Sequence, residues 1–347
     1  MRENHEITRK QPLLNEKGDL REPGWSRHLL QQYDRQMIRA SKWRIKEWDY
    51  YLILGKDFGG AFTISDDGYI GLQSVSLLDF RGAWPGREGC REHTETVLNL
   101  FPMGKMKLPS DSGSGETVYR DERLQMRFWT EEGKRHIVCH FENFWNNKPF
   151  DCDITLEQPP MESMVIATPW DKKHHFYYNQ KINGMRASGS MTFDGETFTF
   201  DPATDFGTLD WGRGVWTYDN TWYWGSGNTD IDGHHFGWNI GYGFGNTKAA
   251  SENVLFYDGK VHKLEDVTFH LPEVGYLDPW RFTSSDGRFD MVFVPIMDRA
   301  ANLDYKVIVS DQHQVFGRMS GEAVLDDGTK IQIKDVLCFA EKVHNRY

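Results

Sequence analysis

The amino-acid sequence predicts an all-β protein, mainly because apolar and polar residues alternate with a period of two along most of the chain. Aromatic and β-branched residues fill the apolar positions, and long stretches of helical spacing are hard to find. Short turn sequences separate the alternating segments, namely Asp67-Gly68, Glu132-Gly133, Asp194-Gly195, Asp258-Gly259, Asp286-Gly287 and Asp327-Gly328. Residues that tolerate positive φ suit tight hairpins, so the pattern indicates antiparallel meanders that close into barrels or sandwiches.

The length of 347 residues exceeds the size at which a single core usually stops growing, so we expect two domains. Prolines and polar residues interrupt the alternation between residues 158 and 183. We therefore place the boundary near residue 180, which gives domains of residues 1–180 and 181–347. One helix is expected over residues 29–40, before a first strand over residues 43–54.

The charge balance disfavours a nucleic acid or an anionic membrane surface as the partner, because 40 basic residues stand against 51 acidic ones and the net charge is -11. The N-terminal thirty residues lack the apolar core of a signal peptide, and no apolar run is long enough to span a bilayer. We expect a cytoplasmic protein without an integral membrane segment, whose partner is a small molecule. The four cysteines contain no C-x-x-C pair, so neither a zinc ribbon nor a disulfide framework is indicated.

The segment DWGRGVWTYDNTWYWGSG, residues 210–227, holds four of the thirteen tryptophans. An unbroken strand would place Asp210, Gly212, Gly214 and Trp216 on one face, with Trp211 and Arg213 on the other. Glycine within a strand often marks a close approach of a ligand or of another backbone. The glycines beside Asp210 therefore predict a hollow under indole rings.

Three other segments carry polar residues beside aromatic ones. In FGWNIGYGFGN, residues 236–246, Trp238 and Asn239 point to opposite faces. Residues 42–54 place Glu47 and Asp49 on one face and Trp48 on the other, and residues 134–144 align His140 with Glu142. Each set forms either a pocket wall or an ordinary solvated or ion-paired face.

An Asp in apolar surroundings can stay protonated at neutral pH, because burial raises the pKa of a carboxyl group. Such a group can act as a general acid, and desolvated indole faces stabilise the cation that protonation of an alkene creates. If Arg213 instead reaches Asp210, the two side chains form a structural salt bridge. The adjacent pairs His174-His175 and His234-His235 point to opposite faces of a strand, so no metal site is expected.

The segments LLNEKGDLREPGW (13–25), KWRIKEWDYYLI (42–53), SGSMTFDGETFTFDPATDFGTLDWGRGVWTY (188–218) and NIGYGFGNTKAASENVLFYDGK (239–260) resemble an uncharacterised family, domain of unknown function 2804. That family is similar to the calycin superfamily, near carotenoid hydratases, tocopherol cyclases and lipocalin-like Diels-Alder cyclases. The resemblance implies two tandem lipocalin-like antiparallel β-barrels with few short helices. It also implies that Asp210 is the catalytic acid, that Arg213 positions or tunes it, and that Trp211, Trp216 and Trp224 line the pocket, with Glu252 and Asn253 as further polar contacts.

We therefore predict a cofactor-free hydratase, isomerase or cyclase that acts on a hydrophobic or partly unsaturated small molecule. A lipocalin-like carrier for a lipid or hydrophobic metabolite is the alternative, and a carbohydrate-processing enzyme is a weaker one. The sequence leaves the oligomeric state open. The predicted substrate-binding residues are Trp211, Trp216, Tyr218, Trp224, Trp238, Asn239, Glu252, Asn253, Glu47, Trp48, Asp49, His140 and Glu142.

Overall fold

The computed structural model describes residues 3–82, 89–304 and 309–346, with strands almost throughout and two single-turn 3-10 helices at Arg35–Met37 and Lys42–Arg44. The strands of the described part are β1 (Gln11–Pro12), β2 (Gly24–Ser26), β3 (Gln31–Gln32), β4 (Ile45–Leu54), β5 (Phe58–Asp66), β6 (Ile70–Asp79), β7 (Arg91–Leu100), β8 (Glu116–Arg120), β9 (Leu124–Glu131), β10 (Lys134–Trp145), β11 (Lys148–Glu157), β12 (Met164–Pro169), β13 (Phe176–Phe193), β14 (Glu196–Phe200), β15 (Phe206–Val215), β16 (Asp219–Ile231), β17 (His234–Tyr242), β18 (Val254–Tyr257), β19 (Lys260–Lys263), β20 (Val267–His270), β21 (Trp280–Ser284), β22 (Phe289–Asp304), β23 (Val309–Val324) and β24 (Lys330–Arg346).

The strands form two large curled antiparallel sheets, which confirms the prediction of two tandem lipocalin-like barrels. The first sheet has the order β7-β6-β5-β4-β15-β13-β11-β10-β9-β8, with β12, β14 and β2 attached to its side. The second has the order β19-β18-β17-β16-β24-β23-β22-β21-β20. The chain leaves the first sheet after Val215 and enters the second at Asp219, so residue 180 lies within β13, a strand of the first sheet.

The turn sequences occupy the conformations that the sequence predicts. Glu132-Gly133, Asp194-Gly195 and Asp258-Gly259 each have positive φ at both residues, and each joins two antiparallel neighbours. Two consecutive residues of positive φ match the right-handed twist of a hairpin. These turns therefore fix the register of β9 with β10, of β13 with β14 and of β18 with β19.

Three hydrophobic clusters organise the molecule. One lies inside the first sheet, a second lies inside the second sheet, and a third joins residues of both sheets. Strand β4 shows how this arises, because Tyr51 and Ile53 belong to the first cluster, whereas Leu52 belongs to the third. Since successive side chains point to opposite faces of a strand, the outer face of β4 packs against the second sheet.

The predicted helix over residues 29–40 is wrong. This segment contains the extended residues of β3 and one 3-10 turn, which Asp34 begins by accepting a hydrogen bond from the backbone N–H of Gln36. Tertiary contacts hold the segment extended, because the Tyr178 hydroxyl donates to the carbonyl of Gln31 and the Tyr33 hydroxyl donates to Glu47. Such contacts override a helical pattern in a segment this short.

Candidate active site

Asp210 lies at the centre of the surface where the two sheets meet. It stands on β15 directly opposite Tyr50 of β4 and Lys181 of β13, and it is 8% exposed. The Lys181 Nζ atom is 2.7 Å from Asp210 Oδ1, and the Asn179 side-chain amide donates to the same oxygen over 2.6 Å. Because an ammonium and an amide both bind it, this carboxyl group is stabilised as an anion.

The Lys181 side chain also reaches the second sheet. It is 1% exposed, and its Nζ atom lies 3.8 Å from the centroid of the Trp224 ring on β16. The Trp224 indole N–H donates to Asn239 Oδ1 over 2.7 Å, which fixes the plane of the ring. The buried ammonium therefore joins an anion of one sheet to an aromatic face of the other.

Two further carboxyl groups surround this ion pair. Glu341 of β24 stands opposite Trp224, and its two oxygens accept hydrogen bonds from the Trp222 indole N–H (3.0 Å) and from the Gln314 amide (3.1 Å). Glu252 Oε2 accepts a weak hydrogen bond of 3.4 Å from the Tyr177 hydroxyl, and its Oε1 atom is buried without a partner. Lys181 is thus the cation common to all three carboxyl groups, and the charge of Lys263 also acts on Glu252.

The electrostatics of the cluster bring the titration of both glutamates close to neutral pH. Burial raises the pKa of Glu341 to about 7, and it raises that of Glu252 to about 7 as well. In both cases the Lys181 charge opposes the shift and the Asp210 charge adds to it. We call Asp210, Lys181, Glu252 and Glu341 the carboxyl cluster.

A cleft of about 220 Å³ opens between the sheets one row of residues away from the carboxyl cluster, whose four members do not line it. Its lining includes Leu52 and Thr208 of the first sheet, which lie two residues along their strands from Tyr50 and Asp210. It also includes Phe339, two residues along β24 from Glu341. Asp210 and Glu341 each keep 8% of their surface accessible, so the cluster is not fully sealed.

Arg213 does not contact Asp210, because the two residues are three apart on one strand and point to opposite faces. Arg213 is fully buried inside the first barrel, where it pairs with Asp49 at 2.9 Å and lies 4.2 Å from the centroid of the Trp211 ring. Arg213 and Trp211 are therefore parts of the first core rather than neighbours of Asp210.

Glu47 and Asp49 also face the interior of the first barrel. Glu47 accepts a hydrogen bond from Tyr33, and Thr117 donates to Asp49. Trp48 points the other way, stacks on Tyr177 with ring centroids 6.4 Å apart, and so belongs to the surface between the sheets. The alternation of the strand separates these neighbours, as the sequence predicts, and it keeps Glu47 and Asp49 away from the carboxyl cluster.

The hollow predicted beside Asp210 at Gly212 is filled by the protein itself. A Cβ atom at Gly212 would lie 2.0 Å from Cζ2 of Trp48. The glycine therefore accommodates an indole ring rather than a ligand, and the open volume lies further along the strands, in the cleft.

The remaining predicted residues divide between the interface and other regions. Trp216 packs against Trp48, Tyr177 and Trp222 between the sheets. Other predicted residues lie elsewhere: Trp238 in the core of the second barrel, Asn253 bound to backbone groups of Gly241 and Glu265, and Tyr218, His140 and Glu142 exposed on the surface.

Sequence reasoning missed Lys181 and Glu341. Glu341 stands in CFAEKV between Phe339 and Val343 on one strand face, and a charged residue in such an apolar row could have indicated a buried carboxyl. Lys181 shares a strand face with Asn179 and Tyr177, but the polar neighbours Asn179, Gln180 and Asn183 make a lysine there look like part of a solvated segment. Only the pairing of β13 with β15 places Lys181 opposite Asp210.

Within residues 3–82, 89–304 and 309–346, no group of three or more His, Cys, Asp or Glu side chains is arranged to hold a metal ion. Among the same described residues, no helix has the length and apolar composition needed to cross a bilayer.

The chain belongs to the family described as Domain of unknown function (DUF2804), whose model matches residues 4–347. A candidate AttH from Nitrosomonas europaea has a similar fold, with a TM-score of 0.52 and 14% identity over 90% of this chain and 95% of that one. Kievitone hydratase from Nectria haematococca is a weaker match, with a TM-score of 0.44 and 11% identity over 87% and 88% of the two chains. No curated protein matches this sequence.

The substitution Lys181→Met should lower the free energy of unfolding by roughly 3 kcal/mol or more, because it leaves Asp210 buried without its cation. The additional substitution Asp210→Asn should recover part of this loss by removing the charge. Urea unfolding measures both effects. Lys334→Met, at an exposed lysine, is the matched control and should change stability by less than about 0.5 kcal/mol. Wild-type stability in Lys181→Met would contradict a structural ion pair.

The two glutamates of the cluster should contribute stability that falls as pH rises from 5 to 8, whereas His235, whose pKa burial lowers to about 4, contributes in the opposite direction below about 6.5. The glutamates of the cluster titrate near 4.5 in the unfolded chain and near 7 in the folded one, so their stabilising protonation is complete below 4.5 and is lost as pH rises through about 7. Each group can contribute a slope of at most about 1.4 kcal/mol per pH unit. Urea unfolding at several pH values should give a flatter profile for Glu341→Gln, whereas Glu273→Gln, at an exposed position, should keep the wild-type slope.

Gly212→Ala should destabilise the protein by about 1 to 3 kcal/mol, because the added methyl group overlaps the Trp48 ring. Thermal unfolding provides the measurement, and Gly113→Ala in the exposed loop serves as the control. Combining Gly212→Ala with Trp48→Leu should relieve the overlap. If the double variant is no more stable than the sum of the single changes predicts, the clash is not the cause.

Proposed function

We propose that this member of the family is an enzyme of the hydratase, isomerase or cyclase type. In this proposal the carboxyl cluster transfers a proton to a hydrophobic or partly unsaturated small molecule bound between the two sheets. The observation that carries the proposal is the presence of three buried carboxyl groups around a single lysine, with aromatic rings on both sides.

Charge counting assigns the protons. One ammonium group compensates one carboxylate, and the 2.7 Å contact gives that compensation to Asp210. The other two carboxyl groups have no cation of their own within ion-pair distance among the described residues, and burial raises the pKa of each to about 7. A group that titrates near the working pH is an efficient general acid.

Glu341 is the better proton donor of the two glutamates. It is 8% exposed against 3% for Glu252, and it is next to the residues that line the cleft. Trp222 and Gln314 hold its two oxygens in place. Glu252, whose Oε1 atom has no partner, is the second acid of the cluster.

Asp210 then acts as an anion rather than as the proton donor that the sequence predicts for it. Held by Lys181 and Asn179, it supplies negative charge beside the reacting group. A carbocation formed by protonation would lie near this carboxylate and near the faces of Trp224 and Trp48, both of which stabilise positive charge. Water, or a nucleophile within the substrate, would then bond to the cationic carbon, and the proton released in that step would return to the Glu341 carboxylate.

A carrier that uses the same cleft is the second candidate. It is favoured by the apolar part of the lining, which includes Leu52, Leu54 and Phe206. A carrier binds its ligand without transferring a proton to it, whereas the enzyme forms a product. Product formation therefore distinguishes the two functions.

The full-length protein should therefore be incubated with a methanol extract of cellular metabolites in water labelled with oxygen-18, and in parallel in deuterium oxide. A hydratase gives products that contain labelled oxygen, and an isomerase or cyclase gives products that contain deuterium. Mass spectrometry of the extract detects both. Glu341→Gln should lower the rate of label incorporation at least about a hundredfold, because proton transfer is lost.

Glu273→Gln is the control and should keep the wild-type rate, since this exposed residue is remote from the cluster. Depletion of a compound from the extract without a labelled product would support the carrier. Undiminished labelling in Glu341→Gln would refute the proton-donor role, and a loss confined to Glu252→Gln would transfer that role to Glu252.

A further inference from the structure

We propose that the cleft between the sheets binds the anionic end of an amphipathic ligand, a carboxylate, sulfate or phosphate carried on an apolar body. This inference rests on the proposed function, because it names the class of substrate that the carboxyl cluster would act on. It is carried by the cationic side chains Arg318, Lys56 and Lys334, which all line the cleft.

Arg318 is the central group of this set. Its guanidinium donates only to backbone carbonyls, that of Asp335 at 3.2 Å and that of Lys56 at 3.4 Å, and its Nε atom is buried without a hydrogen-bond partner among the described residues. Other half-buried arginines of the chain pair with carboxylates, as Arg186 does with Asp230 and Arg299 with Glu92. An arginine that is held in place but lacks a carboxylate is suited to receive one from a ligand.

The two lysines add to the positive charge at the mouth of the cleft. Lys56 follows β4 of the first sheet, and Lys334 lies on β24 of the second, so the cations approach from both sides. No carboxylate lies within ion-pair distance of either lysine in the described ranges. Asp335 is the one carboxylate on the lining, against three cations, so the mouth is positive in a chain whose net charge is -11.

The strand register connects this mouth to the carboxyl cluster. Three cross-strand pairs of β23 and β24, at alternate positions, have their side chains between the sheets, and we call each pair a row. The rows are Gln314 with Glu341, Phe316 with Phe339, and Arg318 with Leu337. Arg318 is thus four residues along its strand from Gln314, which places the cation roughly 13 Å from the level of Glu341 at the usual rise per residue.

The rows between the cations and Glu341 are mostly apolar, with Thr208 paired to Leu52 on the first sheet and Ser226 paired to Phe339 on the second as their polar members. Phe316 and Phe339 lie on the second sheet, and Leu52 and Leu54 face them from the first. A free small anion would gain nothing from these surfaces, whereas a ligand with an apolar body would bury it there. The geometry therefore favours an amphipathic anion whose reacting part lies roughly 13 Å from its charged group, the separation that follows from strand geometry.

Octanoate and octan-1-ol test this inference, since they share a chain and differ in charge. In protein labelled with carbon-13 at leucine methyl groups, octanoate should shift the signals of Leu52, Leu54 and Leu337, which locates the ligand in the cleft. Titration should give a dissociation constant at least about tenfold lower for octanoate than for octan-1-ol, because a charge-assisted hydrogen bond to the guanidinium is available only to the acid.

Arg318→Gln combined with Lys334→Gln should raise the dissociation constant of octanoate about tenfold and leave that of octan-1-ol unchanged. Lys330→Gln, at an exposed lysine of the same strand, is the matched control and should alter neither. The inference is overturned if the acid and the alcohol bind with equal dissociation constants. It is also overturned if the double substitution leaves the dissociation constant of octanoate unchanged. Inorganic phosphate should bind much more weakly than octanoate, and equal affinity would overturn the requirement for an apolar body.

The outcome is separable from that of the proposed function. Glu341→Gln should keep the octanoate affinity of the wild type, because the charged end of the ligand lies at the mouth of the cleft. If octanoate binds as expected while Glu341→Gln retains full label incorporation, only the proposed function fails. If Glu341→Gln abolishes label incorporation while the dissociation constant of octanoate does not change when Arg318 is replaced, only the assignment of the anionic ligand fails.

Discussion

One buried ammonium group, that of Lys181, joins the two sheets within the apolar cluster between them. It neutralises Asp210 of the first sheet and lies against Trp224 of the second, so one side chain is bound by both halves of the molecule. A buried ammonium is costly because it loses its hydration, unless a paired anion in good geometry and further favourable contacts compensate for that loss. Its environment supplies an anion, an aromatic face and little water. The same buried environment raises the pKa of the two neighbouring glutamates to about 7, because neither has a cation within ion-pair distance among the described residues.

The candidate site lies between the barrels rather than inside either one. Both barrel interiors are packed by their own residues, and the first is crossed by the ion pair of Arg213 with Asp49. The outer faces of β4, β13 and β15 would be solvated in an isolated barrel, but here the second sheet covers them. Because that contact forms only when both barrels are present, the carboxyl cluster assembles only when the two barrels pack against each other.

Six of the thirteen tryptophans belong to the same contact. Indole rings fill the space between the sheets, and glycines on neighbouring strands make room for them, as Gly212 does for Trp48 and Gly227 does for Trp238 within the second barrel. Large aromatic side chains bury much apolar surface while an N–H remains available for a partner. Trp222 and Trp224 use theirs to hold Glu341 and Asn239. The rings therefore serve packing and also orient polar groups of the site.

The sequence by itself determined the strands, the hairpin turns and the side of each strand on which a residue lies, because these depend on local periodicity and on positive φ at Asp-Gly and Glu-Gly pairs. It thus placed Asp210 and Arg213, like Asp49 and Trp48, on opposite strand faces, but it still allowed a contact between Arg213 and Asp210 that the structure does not contain. It did not determine the partners of Asp210, since Lys181, Glu252 and Glu341 come from segments up to 160 residues apart (341 minus 181) and meet only through strand pairing and the contact of two sheets. Tertiary structure also decided which carboxyl groups hold protons, because burial and the single shared cation set that balance.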